Sequence, residues 1–154
     1  MNKRFLGLDY GDRTIGVAVS DPLGLMAHGV ETIVRDRANA LRASIRRLDE
    51  LILEYDPIET IVLGFPKHMN NTEGERCAKT LAFKEKLERK FNSIPIVLWD
   101  ERLSTVSAMR VIQTMPSRAT PSHTSKDIII DEIAATFILQ GYMDYLSNTK
   151  KKVK

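Results

Sequence analysis

Three carboxylates stand where the surrounding sequence is apolar. Asp9 closes the run Phe5-Leu6-Gly7-Leu8, Glu101 follows Ile96-Val97-Leu98-Trp99-Asp100, and Asp131 separates Ile128-Ile129-Ile130 from Ile133-Ala134-Ala135. Taken singly, an Asp at a strand end forms turns, and Glu101 suits a solvated loop or a helix N-terminus. Asp131 differs, because it interrupts a core-facing helix, where an unpaired carboxylate is expensive. A salt bridge to Arg13 or Arg102 would satisfy it. The alternative is that Asp9, Glu101 and Asp131 converge and hold hard divalent cations. Mg2+ and Mn2+ take oxygen ligands and leave positions open for water and phosphate. Two such ions about 3.5–4 Å apart activate a water and stabilise the leaving oxygen in phosphodiester hydrolysis.

Other chemistries lack their residues. The three histidines, His28, His68 and His123, have no zinc spacing, and the single cysteine, Cys77, excludes a multi-Cys site and an internal disulfide. No G-x-x-x-x-G-K-[ST] and no G-x-S-x-G occurs. The turn Tyr10-Gly11-Asp12-Arg13 after Asp9 resembles the phosphate turns of actin-like ATP-binding folds. Those enclose the nucleotide between two domains, and 154 residues amount to one.

Composition narrows the class further. With 43% apolar and 28% charged residues and a mean hydropathy of −0.21, a soluble core-forming domain is expected, without a membrane span. One cysteine fits a reducing cytoplasm. The pI of about 9.0 is inflated by Lys150, Lys151, Lys152 and Lys154. Removing those four from the 23 Lys and Arg leaves 19 against 20 Asp and Glu, a net of −1. Positive charge is instead local: Arg35, Arg37, Arg42, Arg46 and Arg47 face only Asp36 in their stretch, and Arg110, Arg118 and Lys126 form a second group. Both suit a polyanion partner.

The elements that must position the carboxylates follow from periodicity. Phe5–Asp9, Thr14–Ser20 and His28–Val34 read as strands on tight turns. Leu41, Ile45, Leu48 and Leu51/Ile52 give helical spacing over Ala38–Tyr55, stopped by Asp56-Pro57. Thr60–Phe65 and Ile94–Trp99 are short continuous apolar runs, as in buried parallel strands. A helix opens at Thr72-Glu73-Gly74-Glu75 and runs to about Phe91. Leu103–Gln113 reads as helix, Thr114–Ser125 as a mobile Pro/Ser/Thr-rich segment. Asp127–Leu146 reads as an amphipathic helix with Ile130, Ile133, Ala134, Phe137 and Ile138 on one side, and Asp127 as its N-terminal cap or a fourth ligand. The expectation is an α/β fold with a mixed five-stranded sheet, an antiparallel meander extended by parallel strands and flanked by helices, with the first strand central. Residues 1–148 form the domain and 149–154 a basic tail. Ligands of open α/β sheets collect at carboxyl strand ends near the switch point, which points to the segments after Leu8, Phe65 and Trp99.

Supporting residues cluster there. Gly11 and Gly16 let a phosphate backbone approach Asp9. Lys67, Asn70 and Asn71, after the fourth strand, suit phosphate or base contacts. Arg102, beside Glu101, suits transition-state charge stabilisation. Trp99 is expected to pack in the core.

These blocks resemble one bacterial family. Gly7-Leu8-Asp9-Tyr10-Gly11, Thr14-Ile15-Gly16-Val17-Ala18-Val19-Ser20-Asp21, Gly64-Phe65-Pro66-Lys67-His68-Met69-Asn70, Trp99-Asp100-Glu101-Arg102-Leu103-Ser104-Thr105 and Ile130-Asp131-Glu132-Ile133-Ala134-Ala135 are similar, in order, to the YqgF (RuvX) family. The resemblance covers about residues 4–147. It implies an RNase H-like fold and a metal-dependent nuclease maturing the 5′ end of the small-subunit ribosomal RNA precursor, with a Holliday-junction resolvase as the alternative. It puts Asp9, Glu101 and Asp131 on the family's acidic positions and Arg13 at a phosphate-contacting one. Ser104 stands where many members have Thr, which keeps the hydroxyl. A non-catalytic RNA-binding assembly factor on the same fold is the competing class. The charged helix Thr72–Phe91 offers no apolar patch for a tight dimer, so a monomer or weak dimer acting on RNA is expected.

Overall fold

The computed structural model of the chain describes residues 4–35, 40–66, 71–100 and 123–152. Three strands lead: β1 (Arg4–Tyr10), β2 (Thr14–Ser20) and β3 (Ala27–Val34). Helix α1 (Ala40–Glu54), β4 (Ile58–Phe65), helix α2 (Asn71–Lys90) and β5 (Ile96–Asp100) follow, and α3 (His123–Lys152) ends the chain. Their sheet order is β3-β2-β1-β4-β5, so β1 is central. It pairs antiparallel with β2 and parallel with β4, and β4 pairs parallel with β5. The expected mixed five-stranded sheet is therefore the observed one.

The period-two pattern of the strands sorts large from small side chains. Leu6 and Leu8 of β1, Ile15, Val17 and Val19 of β2, and Ile61 and Leu63 of β4 face α1 and α2. There they bury Leu48, Leu51, Phe83 and Leu87. The alternate positions (Gly7, Gly16, Ala18 and Val62 among them) face the other way, where Ala135, Ile138, Leu139 and Met143 of α3 close a second core. Small residues on that face set how closely α3 lies. A Cβ on Gly7 would sit 2.7 Å from Leu139 Cβ and 3.0 Å from the Ala135 carbonyl oxygen. Gly29 and Gly141 meet Thr136 and the Trp99 indole at 3.3 and 3.1 Å in the same sense.

Helix α3 differs from its expected form. It begins at His123, so residues 123–125 of the segment expected to be mobile are its first turn, and Asp127 lies inside the helix, not at its cap. Its buried stripe is Ala134, Ala135, Ile138, Leu139 and Met143, while Ile133 and Phe137 are only half-buried. The helix turns its small side to the small face of the sheet, because that lets the backbones approach. Thirty residues at 1.5 Å each make it about 45 Å long, and it continues through Lys152. The helix expected over Leu103–Gln113 and the remainder of 114–122 lie outside the described residues. Among the described residues no helix is long and apolar enough to cross a membrane.

Candidate active site

Asp9 is the next-to-last residue of β1, on the α3 face, and only 9% exposed. Its register partner on β2 is Gly16. On the other side Leu8 pairs with Leu63 and Leu63 with Leu98. The carboxylate thus stands one residue above a fully apolar row, level with Trp99 of β5. A carboxylate this buried needs partners, and Asp9 has them.

Helix α3 runs toward Asp9 with its N-terminal half. Phe5 meets Tyr142 edge-on, with ring centroids 6.1 Å apart, whereas Gly7 meets Leu139 and Ala135. Moving up β1 by two residues therefore moves down α3 toward its start. Position 131 lies one turn before Ala135, onward in the direction of Asp9. Trp99 packs against this same helix, edge-on to Tyr142 at 5.9 Å and close to Gly141, so its expected core role holds.

The β1–β2 turn beyond Asp9 is held from two sides. The Gly11 amide donates to the Thr14 carbonyl at 2.8 Å. A Cβ on Gly11 would lie 3.3 Å from that oxygen, so a glycine keeps the turn tight. Arg35, just past β3, donates from Nη1 to the Tyr10 hydroxyl at 3.0 Å and from Nη2 to the Gly11 carbonyl. Its own amide donates to the Arg13 carbonyl at 2.7 Å. The guanidinium also lies over the Tyr10 ring, 4.7 Å from the centroid, and Tyr10 stacks on Phe83 of α2 at 4.1 Å with 14° between planes. Lys79 of α2 reaches Asp12 at 3.1 Å, an exposed pair. Arg13 is exposed at the turn.

Arg35 is the supporting residue that sequence reasoning missed. Its charge marked it as part of a basic stretch, but its contact with Tyr10 spans 25 residues and follows from strand pairing alone.

Of the expected site residues, Asp9, Gly11 and Arg13 share the carboxyl end of β1 and its turn. Lys67, Asn70, Glu101 and Arg102 lie outside the described residues. Asn71 is the first residue of α2 and Asp131 lies on α3, with backbone alone described. Among the described residues no three His, Cys, Asp or Glu side chains form a group able to hold a metal ion. The donor set of the three acidic positions, carboxylate oxygen throughout, nonetheless fits a hard divalent cation. Cys77 lies on α2 with its thiol against the Pro66 carbonyl.

This topology, with an acidic residue at the carboxyl end of a central strand and a long helix across the small-residue face, defines an RNase H-like α/β domain. Solved structures with the same fold include Thermus thermophilus RuvC in complex with a Holliday junction substrate (TM-score 0.54, 14% identity, 92% of this chain and 96% of that one). The fowlpox virus Holliday junction resolvase is another (TM-score 0.51, 18% identity, 93% and 99%). Residues 3–145 match the family model described as "RuvX: Holliday junction resolvase". Among curated relatives, one from Agathobacter rectalis is 49% identical over 96% of this chain and 99% of its own length. One from a Geobacillus species is 48% identical over 92% and 97%. Both carry the name "Putative pre-16S rRNA nuclease". The chain belongs to the RuvX family.

Proposed function

We propose that this chain is a divalent-metal-dependent nuclease that trims the 5′ end of the small-subunit ribosomal RNA precursor in the cytoplasm, as a monomer or weak dimer. The observation that carries the reading is the buried Asp9 at the carboxyl end of the central strand, with α3 bringing position 131 toward it. The near-full-length likeness to relatives named for pre-16S rRNA supports the substrate.

In this reading Asp9, Glu101 and Asp131 hold Mg2+ or Mn2+. When bound, such ions lower the pKa of water and stabilise charge on the phosphodiester oxygens. The rest is done by the chain. Gly11 and Gly16 keep the backbone low so that a phosphate can reach Asp9. Arg13, Lys67, Asn70 and Asn71 hold the phosphates on either side. Arg102 offsets the charge that develops at phosphorus. The products carry a 5′-phosphate and a 3′-hydroxyl.

The family's description favours a second reading, a resolvase of four-way DNA junctions. Cleavage assays with Mg2+ on a ribosomal RNA leader and on a four-way junction decide between them. Cutting of the leader supports the first reading; symmetric nicking of the junction by a tight dimer, with the leader left intact, overturns it.

A further inference from the structure

On the face of the sheet opposite Asp9, α1 and α2 enclose a solvent-open groove of about 440 Å³. Arg42 and Arg46 line it from α1, Lys86 and Lys90 from α2, together with Leu41 and Ile45. Each cation pair is spaced i,i+4, so like charges are neighbours along each helix, an arrangement that destabilises both. Elsewhere on these helices some charges are paired, Arg47 with Glu31 and Glu50 and Lys84 with Glu88, and among the described residues single unpaired charges such as Arg89 stand apart from one another. In the groove, among the described residues, only Asp49 approaches, 4.0 Å from Lys90, and Arg42, Arg46 and Lys86 have no partner. Four exposed cations gathered this way, three of them unpaired, call for an external polyanion.

We propose that the groove is a second RNA contact, binding the phosphate backbone at a distance from the cleaved bond. The inference rests on reading the chain as a nuclease of RNA. Two rows of cations suit a chain of phosphates better than one small anion, and the Leu41 and Ile45 side chains offer an apolar surface to ribose. Among the described residues no aromatic ring lines the groove, so bases find no stacking platform there and the contact is independent of sequence. Because the sheet separates the groove from Asp9, only a long or folded RNA can touch both.

The test measures binding of the full chain to a ribosomal RNA leader transcript over a range of salt. Arg42→Gln/Arg46→Gln and the fourfold variant that adds Lys86→Gln/Lys90→Gln are compared with wild type. Lys84→Gln/Arg89→Gln, which removes two charges outside the groove, is the control. Each phosphate contact adds about 0.7–0.9 to the salt slope. The fourfold variant is therefore expected to bind about ten-fold more weakly, with a slope lower by about two or more, while the control stays near wild type. Melting temperatures of the groove variants should equal or exceed wild type, since like-charge repulsion is removed. Wild-type affinity and slope in the fourfold variant overturn the groove and leave the cleavage reading intact. An equal loss in the control, or a loss seen only with a four-way DNA junction, overturns the groove as well. A wild-type chain that binds no RNA at any salt overturns both readings.

Discussion

Gly7 and Leu139 are packed so closely that a Cβ on Gly7 would fall 2.7 Å from Leu139 Cβ, with the Ala135 carbonyl oxygen 3.0 Å away. This contact sets the depth of α3 on β1 two residues below Asp9. Neither neighbour is a flexible side-chain end, so Gly7→Ala must displace the helix. Overpacking of this kind costs about 1–3 kcal/mol. We expect that loss in urea denaturation, and a fall in nuclease activity at temperatures where the variant remains folded, because the helix carrying Asp131 has moved. A Gly7→Ala chain with wild-type stability would mean that α3 is not held by this contact.

Asp9→Asn keeps the shape of the side chain and removes its charge. Cleavage of the RNA leader should drop by about 10²-fold or more, as when a group acting on transition-state charge is lost. If Glu101 and Asp131 share the site as proposed, stability should be kept or rise, because the repulsion among their carboxylates is relieved. Parallel rate and melting measurements check this, and equal cleavage by variant and wild type refutes the assigned role.

Chelation separates catalysis from binding. With EDTA, turnover should vanish and return on adding Mg2+ or Mn2+, while RNA retention at low salt persists, since phosphate contacts by Lys and Arg need no metal. Turnover that survives thorough chelation would remove the metal from the mechanism.

Arg35 anchors the turn after Asp9 by two side-chain hydrogen bonds and by lying over Tyr10. Arg35→Gln should destabilise by about 1.5–3 kcal/mol, the range for hydrogen bonds to a charged group. Arg35→Lys should not restore it, because an ammonium cannot reproduce the planar fork. As a positioning residue, Arg35 should lower kcat at saturating RNA more than it raises KM. The reverse pattern would make it a direct RNA contact.

Burial of α3 against the sheet, where Tyr142 packs on Phe5 and Trp99, pushes the Tyr142 hydroxyl above its ordinary value, and the charges of Glu59 and Tyr145 add to the shift. A raised folded value means the native state holds the proton longer than the unfolded chain. Its contribution is therefore whole below about pH 10, the unfolded tyrosine value, and is lost as pH rises through the folded value. Tyr142→Phe should flatten that alkaline fall in stability. Denaturation curves on either side of pH 10 test this.

What could be read directly was whatever repeats locally. Alternation of large and small residues in Phe5–Asp9 and Thr14–Ser20 marks strands and already separates two faces. The apolar runs after α1 and α2 mark parallel strands, and the order of elements then leaves β1 central. The family blocks identified the RNase H-like fold. Packing between distant segments decided the rest. That the small face receives α3 follows from where a 30-residue helix can approach most closely, and no local pattern states it. The Pro/Ser/Thr composition before Asp127 hid a helix start at His123, because tertiary context overrides weak propensity. Arg35 meets Tyr10, and Arg42 and Arg46 share a groove with Lys86 and Lys90, only because strand pairing and crossovers bring residues 25 to 48 positions apart to one place. Charge and residue type are properties of single positions, whereas a site is a property of distances that the folded chain alone sets.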